Sequence, residues 1–389
     1  MNRYKNVSFF EGLNALRFFA AFLVVMHHSE GIRKKDGLPN LEWLSLFTNG
    51  HIAVTFFFVL SGFLITYLLL KETNNTGTIH IKRFYIKRVL RIWPLYFLLV
   101  VIGTLILPIA FHVLHINYEM PYTFGQVWYY FLFFLPALVT FFFGHHFLEF
   151  LWSIGVEEFF YLIWAPLLKF FKTRILLILL LVITIKVLLM VACFFTKNEL
   201  FNYLVNDVFS FEAMAIGGLG AWLVFNRQNP LSDLFIYKKP VQVIVYLSLA
   251  TYLVFNINIH NTVWNLVFGT PIVSQLLVDM LFLYLIIGVS LIDNSVVKFR
   301  NKFLSYLGEI SYGIYMYHML VLFAIIQFLK KYLVAFNPVV SIALFYIIIT
   351  IGVIAIAAVS KVVFENYFLR LGTKVNRNAE PTRVSIISS

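Results

Sequence analysis

Apolar residues run through this chain in blocks of about twenty, separated by short polar segments that collect Gly, Pro, Lys and Arg. At 1.5 Å per residue, such a block spans the ~30 Å hydrocarbon core of a bilayer. The pattern predicts helices over 13–29, 51–70, 92–111, 152–171, 174–196, 205–225, 240–258, 273–292, 309–329 and 339–364. A further apolar stretch, 126–143, is bracketed and interrupted by Pro121, Gly125, Pro136 and Gly144, which reads as broken helix.

The loop charges decide how that stretch behaves. If it turns back without crossing and the N-terminus is cytoplasmic, the inner segments hold 21 of the 30 Lys and Arg. The outer segments then hold six (Arg33, Lys34, Lys35, Lys197, Lys330 and Lys331), and Arg17, Lys186 and Lys361 lie within spans. If it crosses, the clusters in 169–174, 226–239 and 293–302 move outside and the positive-inside bias largely vanishes. The expectation is an all-α, polytopic membrane bundle of ten crossings with both termini cytoplasmic. The 126–143 element is then re-entrant against a cavity that satisfies its backbone. One transmembrane domain covers 1–372, and 373–389 is expected to be a disordered cytoplasmic polar tail.

Composition agrees with a bilayer setting. The 389 residues are 61% hydrophobic and 12% charged, where a soluble domain carries about a quarter charged residues. No long polar insert suggests an attached soluble domain. The net charge of +12 sits in the short loops, as topology requires, and does not point to nucleic acid. Cys193 has no partner for a disulfide or thiolate site and reads as packing. Arg3 and Lys5 precede an apolar run as in a signal peptide, but Arg17 interrupts the run and no small-residue cleavage site follows; a retained helix is expected. The sequence has no HExxH, Cys/His cluster, P-loop or GxSxG, so no metal is expected.

Four polar clusters break the apolar pattern. Arg17 and His28 lie in the first predicted helix, eleven residues apart, which places them on one face roughly 16 Å apart along the axis. His27 points about 80° away from Arg17. Ionisable groups here are either snorkelling ends or a functional pair. In KRFYIKRVLRIWPLYF, Arg88 and Arg91 share a face where the third helix enters the bilayer, with Lys82, Arg83 and Lys87 nearby. They could contact anionic lipid heads, or form a phosphate site for a nucleotide or coenzyme. In LWSIGVEEFFYLIW, Ser153, Glu157 and Tyr161 fall on one face, with Trp152 and Glu158 beside them. The two carboxylates could serve the helix dipole, or one could point into the bundle. In GEISYGIYMYHM, Ser311, Tyr315 and His318 make a polar stripe with Tyr312 about 100° off it. A His in such a stripe is either an interhelical hydrogen bond or a catalyst. Lys186 and Asp279 could pair or line a cavity.

Together these segments resemble the acyltransferase-3 family of membrane O-acyltransferases, which includes O-antigen and peptidoglycan O-acetylases. Arg17 and His28 match its Arg, ten residues, His signature, and FFFVLSGFLITYLL matches its second helix with Ser61 and Gly62 in place. KRVLRIWPLY is similar to its RxxR element, with Arg88 and Arg91 on the two arginines. LWSIGVEEFFYLIWAPLL is similar to its WSLxxEEQFYL segment, with Phe159 standing where Gln is usual. GEISYGIYMYHM is similar to its SYxxYLxH helix.

The resemblance implies transfer of an acyl group, most often acetyl, from cytoplasmic acyl-CoA to a hydroxyl of an extracytoplasmic or lipid-linked glycan. Partners would be membrane lipids, acyl-CoA and the glycan acceptor. It implies catalytic roles for His28, Arg17, Glu157 and Glu158, with Arg88, Arg91 and Lys87 on the coenzyme. Ser61, Trp152, Ser153, Tyr312, Tyr315 and His318 would surround the substrate. Some members carry a C-terminal SGNH esterase-like domain, and none is expected here. A bacterial cytoplasmic membrane is the expected location. The competing class is a transporter of a lipid-linked saccharide or small anion, which would use the same intramembrane charges but has no need of a cytoplasmic RxxR.

Overall fold

The computed structural model describes residues 4–7, 9–116, 118–255 and 269–377, with side chains to 373. The last part of the predicted 240–258 helix and residues 378–389 of the expected tail lie outside the described residues.

Each of the ten predicted stretches is built on helix. They are α1 (Leu13–Lys35), α2 (Gly50–Thr76) and α3 (Ile81–Val113), the last with a π-helical turn at Ile102–Ile106. After α4 (Phe124–Leu132) and α5 (Pro136–Phe143) come α6 (Trp152–Phe170) and α7 (Ile175–Cys193). A short helical turn, Glu199–Tyr203, and a π turn, Leu204–Val208, lead into α8 (Phe211–Asn226). Then follow α9 (Lys239–Phe255), α10 (Pro271–Leu291), α11 (Lys302–Glu309), α12 (Ser311–Leu333) and α13 (Pro338–Ser360). A π turn at Lys361–Glu365 joins α13 to α14 (Asn366–Arg377). No strand occurs among the described residues.

Among the described residues, eight helical stretches are long and apolar enough to cross a bilayer. The other two expected spans fall short for different reasons: α1 carries Arg17, His27, His28 and Glu30 along its length, and α9 has 17 residues.

Helix ends follow local chemistry. Thr123 and Gln126 form a capping box at α4, and the Asn301 side chain accepts from Phe303 and Leu304 N–H at α11. Asn337 caps α13 ahead of Pro338 at its first position, and α2 stops at Gly77 with φ +76°.

The 126–143 stretch is a helical hairpin. Its arms have nine and eight residues, about 12–14 Å each, too short to cross. They meet at Phe134, which adopts a left-handed conformation (φ +58°) ahead of Pro136. The Phe134 ring stacks on Tyr96 at 4.5 Å and lies against Trp93 at 5.2 Å. This turn docks on α6 at Gly155, where a Cβ would stand 2.3 Å from the Phe134 carbonyl oxygen. The break expected from Pro136 thus becomes a seat for the helix that carries Glu157.

Helices α2 and α8 meet at close range. A Cβ on Gly62 would sit 1.9 Å from the Met214 carbonyl oxygen, and one on Gly217 would sit 2.0 Å from that of Val59. Backbone meets backbone through small residues, the way helices associate where lipid is as apolar as the side chains. Elsewhere Ala21 and Val25 of α1 pack with Leu322 and Ile325 of α12 and with Phe345, Ile349 and Val353 of α13.

Gly62→Ala should therefore cost about 2–3 kcal/mol by forcing α2 and α8 apart. Thermal melting of detergent-purified protein checks this, with Gly125→Ala, which meets nothing within 4 Å, as the unaffected control.

Candidate functional site

A cavity of about 600 Å³ lies among α1, α2, α3, α6, α12 and the Lys361–Glu365 turn. It follows α2 from Lys71 to Val54, about 25 Å at helical rise. Arg17, Ser61, Arg88, Arg91, Ser153, Glu157, Tyr161, Tyr312 and Tyr315 all face it. Residues drawn from four separate sequence clusters therefore share one space.

The wall between α2 and α6 is a closed hydrogen-bond set. Ser61 donates to one Glu157 oxygen at 2.8 Å, and Tyr161 donates to the other at 2.9 Å. The same Tyr161 hydroxyl lies 3.3 Å from the Ser61 Oγ. The i, i+4 spacing of Ser153, Glu157 and Tyr161 puts all three on this wall, as the face calculation expects. Glu158 points the other way, toward α3, and accepts from the Trp93 indole at 2.9 Å. Across the cavity the Arg88 guanidinium lies over the Tyr161 ring at 5.4 Å and the Phe84 ring at 5.7 Å. Arg17 comes within electrostatic reach of Arg88, Arg91 and Glu157.

Lys71, Lys361, Glu309 and Glu365 also line the space. Five cations (Arg17, Lys71, Arg88, Arg91, Lys361) thus meet three carboxylates (Glu157, Glu309, Glu365), a formal excess of +2. Such an excess inside an apolar bundle calls for an anionic occupant. The Arg88 Nε is buried and has no hydrogen-bond partner. Lys87 is exposed on the opposite side of α3 and lines none of the cavity, because one residue of helical rotation carries it 100° from Arg88. Tyr312 faces the cavity while donating to the Ile92 carbonyl at 2.9 Å.

The cavity stops short of His28. At its inner end Ser153 and Tyr315 are 2.7 Å apart, and Tyr315 donates to the Phe150 carbonyl at 2.8 Å. Beyond this layer His28 sits with His318, ring centroids 5.0 Å apart, and with His27 at 5.1 Å. Trp152 stacks flat on His51 at 5.8 Å and meets Phe58 edge-on. Arg17 and His28 share a helix face as calculated, yet a layer of side chains divides the spaces they serve.

Outside the spans, burial pushes the His146 imidazole down to about 3. Its Nδ1 accepts from the Leu148 N–H, and its ring bonds Tyr122 and Thr140. A neutral His146 therefore ties the hairpin to the start of α6.

Two buried ionic sets lie off the cavity, and the second joins Glu212 to the Lys186 and Asp279 of the sequence analysis. The predicted helix 13–29 continues to Lys35, so Arg33 is a fully buried partner of Glu30, 2.9 Å away. The Arg33 guanidinium also lies over the Phe345 ring at 5.0 Å and reaches the Pro39 carbonyl, while Glu30 accepts from Tyr346 and the Leu41 N–H. The i, i+3 spacing of Glu30 and Arg33 was the available signal. Lys186 pairs with Glu212 at 3.3 Å and donates to the Val205 carbonyl at 2.7 Å, with Asp279 beside Glu212. This cluster is buried away from the cavity.

A family model described as an acyltransferase domain matches residues 10–359. A Staphylococcus aureus (strain COL) protein provisionally named an O-acetyltransferase is 28% identical over 358 residues, 85% of this chain and 53% of that protein. The peptidoglycan O-acetyltransferase OatA of Listeria monocytogenes is 31% identical over 174 residues, 41% of this chain and 24% of its own. A Bacillus subtilis protein, YrhL, provisionally named a peptidoglycan O-acetyltransferase, is 30% identical over 162 residues, 40% of this chain and 23% of its own. The chain spans about half the length of the Staphylococcus relatives. No solved structure matches significantly.

Arg33→Met would leave Glu30 buried and unpaired, a loss of about 3–5 kcal/mol, and the paired change Glu30→Gln with Arg33→Met should recover part of it. Melting temperatures of the two purified variants read the difference.

Proposed function

The chain belongs to the acyltransferase-3 family, and on that premise we propose that it is a membrane O-acyltransferase. It moves an acyl group, acetyl in the simplest case, from cytoplasmic acyl-CoA to a hydroxyl of an extracytoplasmic or lipid-linked glycan. The observation that carries this reading is the cation-rich cavity: three guanidiniums and two ammoniums around a space shared with only three carboxylates. The phosphates of CoA supply the missing anionic charge, and forked guanidiniums match their geometry.

The residues divide the work. Arg88 and Arg91 hold the phosphates at the mouth of α3, and Arg17 guides the thioester arm inward past Ser61 and Glu157. Glu157, held by Ser61 and Tyr161, keeps Arg17 and Arg88 from repelling each other across the empty space. His28 is the general base for the acceptor hydroxyl. The acyl end meets His28 only when the Ser153–Tyr315 contact opens, so that contact is the step separating donor from acceptor. In this reading α1 and α9 join the eight apolar spans, giving ten crossings with both termini cytoplasmic in a bacterial cytoplasmic membrane.

His28→Ala should abolish transfer of acetyl from acetyl-CoA in reconstituted membranes; retained activity overturns the base assignment. Arg88→Ala with Arg91→Ala should raise KM for acetyl-CoA about tenfold or more, since charge-assisted bonds are worth about 1.5–3 kcal/mol each, and an unchanged KM returns this pair to topology. With Cys193→Ala as background, Lys197→Cys should react with an impermeant maleimide from the outer side, and Lys172→Cys should not.

A further inference from the structure

His318 holds a buried nitrogen that nothing satisfies. The residue is completely inaccessible, covered edge-on by the Phe150 ring at 4.9 Å. Its Nδ1 faces the backbone carbonyl of Tyr315, one turn earlier on α12. A carbonyl oxygen only accepts, so Nδ1 carries the hydrogen, and in a neutral ring the lone pair then resides on Nε2. That Nε2 is buried without a partner. An orphaned acceptor at such depth carries a cost that the arrival of a donor removes.

His28 lies against it, ring centroids 5.0 Å apart. His27 is the other ring beside His28, at 5.1 Å, and packs against the start of α2, where a Cβ on Gly50 would stand 2.4 Å from its ring. Among the described residues no three His, Cys, Asp or Glu side chains converge as metal ligands. The two rings are thus direct neighbours, tilted 39° to each other.

We propose that His318 is the positioning residue of His28, its fixed Nε2 lone pair accepting a hydrogen bond from the His28 imidazolium as that forms. The inference rests on His28 being the base. As the acceptor oxygen bonds to the acyl carbon and the carbon–sulfur bond breaks, the hydroxyl proton moves to the free nitrogen of His28. The opposite N–H of that imidazolium then points at His318 Nε2, which orients it and stabilises its charge. His28 returns the proton to the CoA thiolate and becomes neutral again, and His318 never changes protonation. It takes the place of the third member of a nucleophile–base–orienter set. A neutral orienter suits this depth, where a carboxylate would add a second buried charge.

The test uses the full chain in vesicles, with radiolabelled acetyl-CoA as donor and isolated peptidoglycan strands as the hydroxyl probe. His318→Asn keeps a donor toward the Tyr315 carbonyl but removes the distal acceptor; His318→Gln offers an oxygen at the distal position. The proposal expects H318N to lower kcat about tenfold or more with KM for acetyl-CoA and melting temperature unchanged, and H318Q to recover part of the loss. Wild-type kcat in H318N, equal losses in the Asn and Gln variants, or a loss that tracks a fall in melting temperature each overturns it. If H28A itself keeps full activity, the base assignment fails first, whatever H318N does.

Discussion

Between Gly62 and the Met214 carbonyl there is no space for a methyl group, and much of the site follows from that contact. With α2 held against α8, Ser61 is turned toward α6, where its hydroxyl takes one oxygen of Glu157. Tyr161 takes the other oxygen from the next turn of the same helix. Its ring then serves as the platform under Arg88. A pair of backbones in contact thus sets the position of a carboxylate, a phenol and a guanidinium on two other helices. On its other side α6 is seated by Gly155 against the turn at Phe134, so Glu157 is fixed from two directions.

Charge burial explains the rest of the polar architecture. Among the described residues, the buried cations off the cavity each stand against a carboxylate: Arg33 against Glu30, Lys186 against Glu212. The cavity, by contrast, gathers cations in excess. In a medium that tolerates no isolated charge, this contrast separates the groups that hold the bundle together from those that wait for a ligand.

The sequence displayed the helices, the break at Pro136 and the shared face of Ser153, Glu157 and Tyr161, because all of these depend on local periodicity. It also set Arg17 and His28 on one face. Periodicity says nothing about what stands between two points on that face, and here the Ser153, Tyr315 and Phe150 layer does. Lys361 and Glu365 were hidden for another reason: they reach the cavity from the far end of the chain, through a π turn that no spacing rule foretells. By sequence Arg33 is a loop charge, because the polar run after His28 looks like a helix end. In the structure the buried pair with Glu30 carries the helix onward to Lys35. Lys87 was grouped with Arg88 by sequence proximity, whereas one step of helical rotation parts them.

The layer at Ser153, Tyr315 and Phe150 has a consequence for the membrane itself. Elsewhere ~30 Å of hydrocarbon insulates one compartment from the other. Under the proposed topology, a wet cavity brings the cytoplasm up to this point, and the insulation there is two aromatic rings and a serine hydroxyl deep. On the proposed function, a bundle so built faces the problem of an airlock: passing an acyl group while withholding protons and ions. Tying the barrier tyrosine to a backbone carbonyl as well as to Ser153 lets one contact yield to cargo while the other keeps the ring in place.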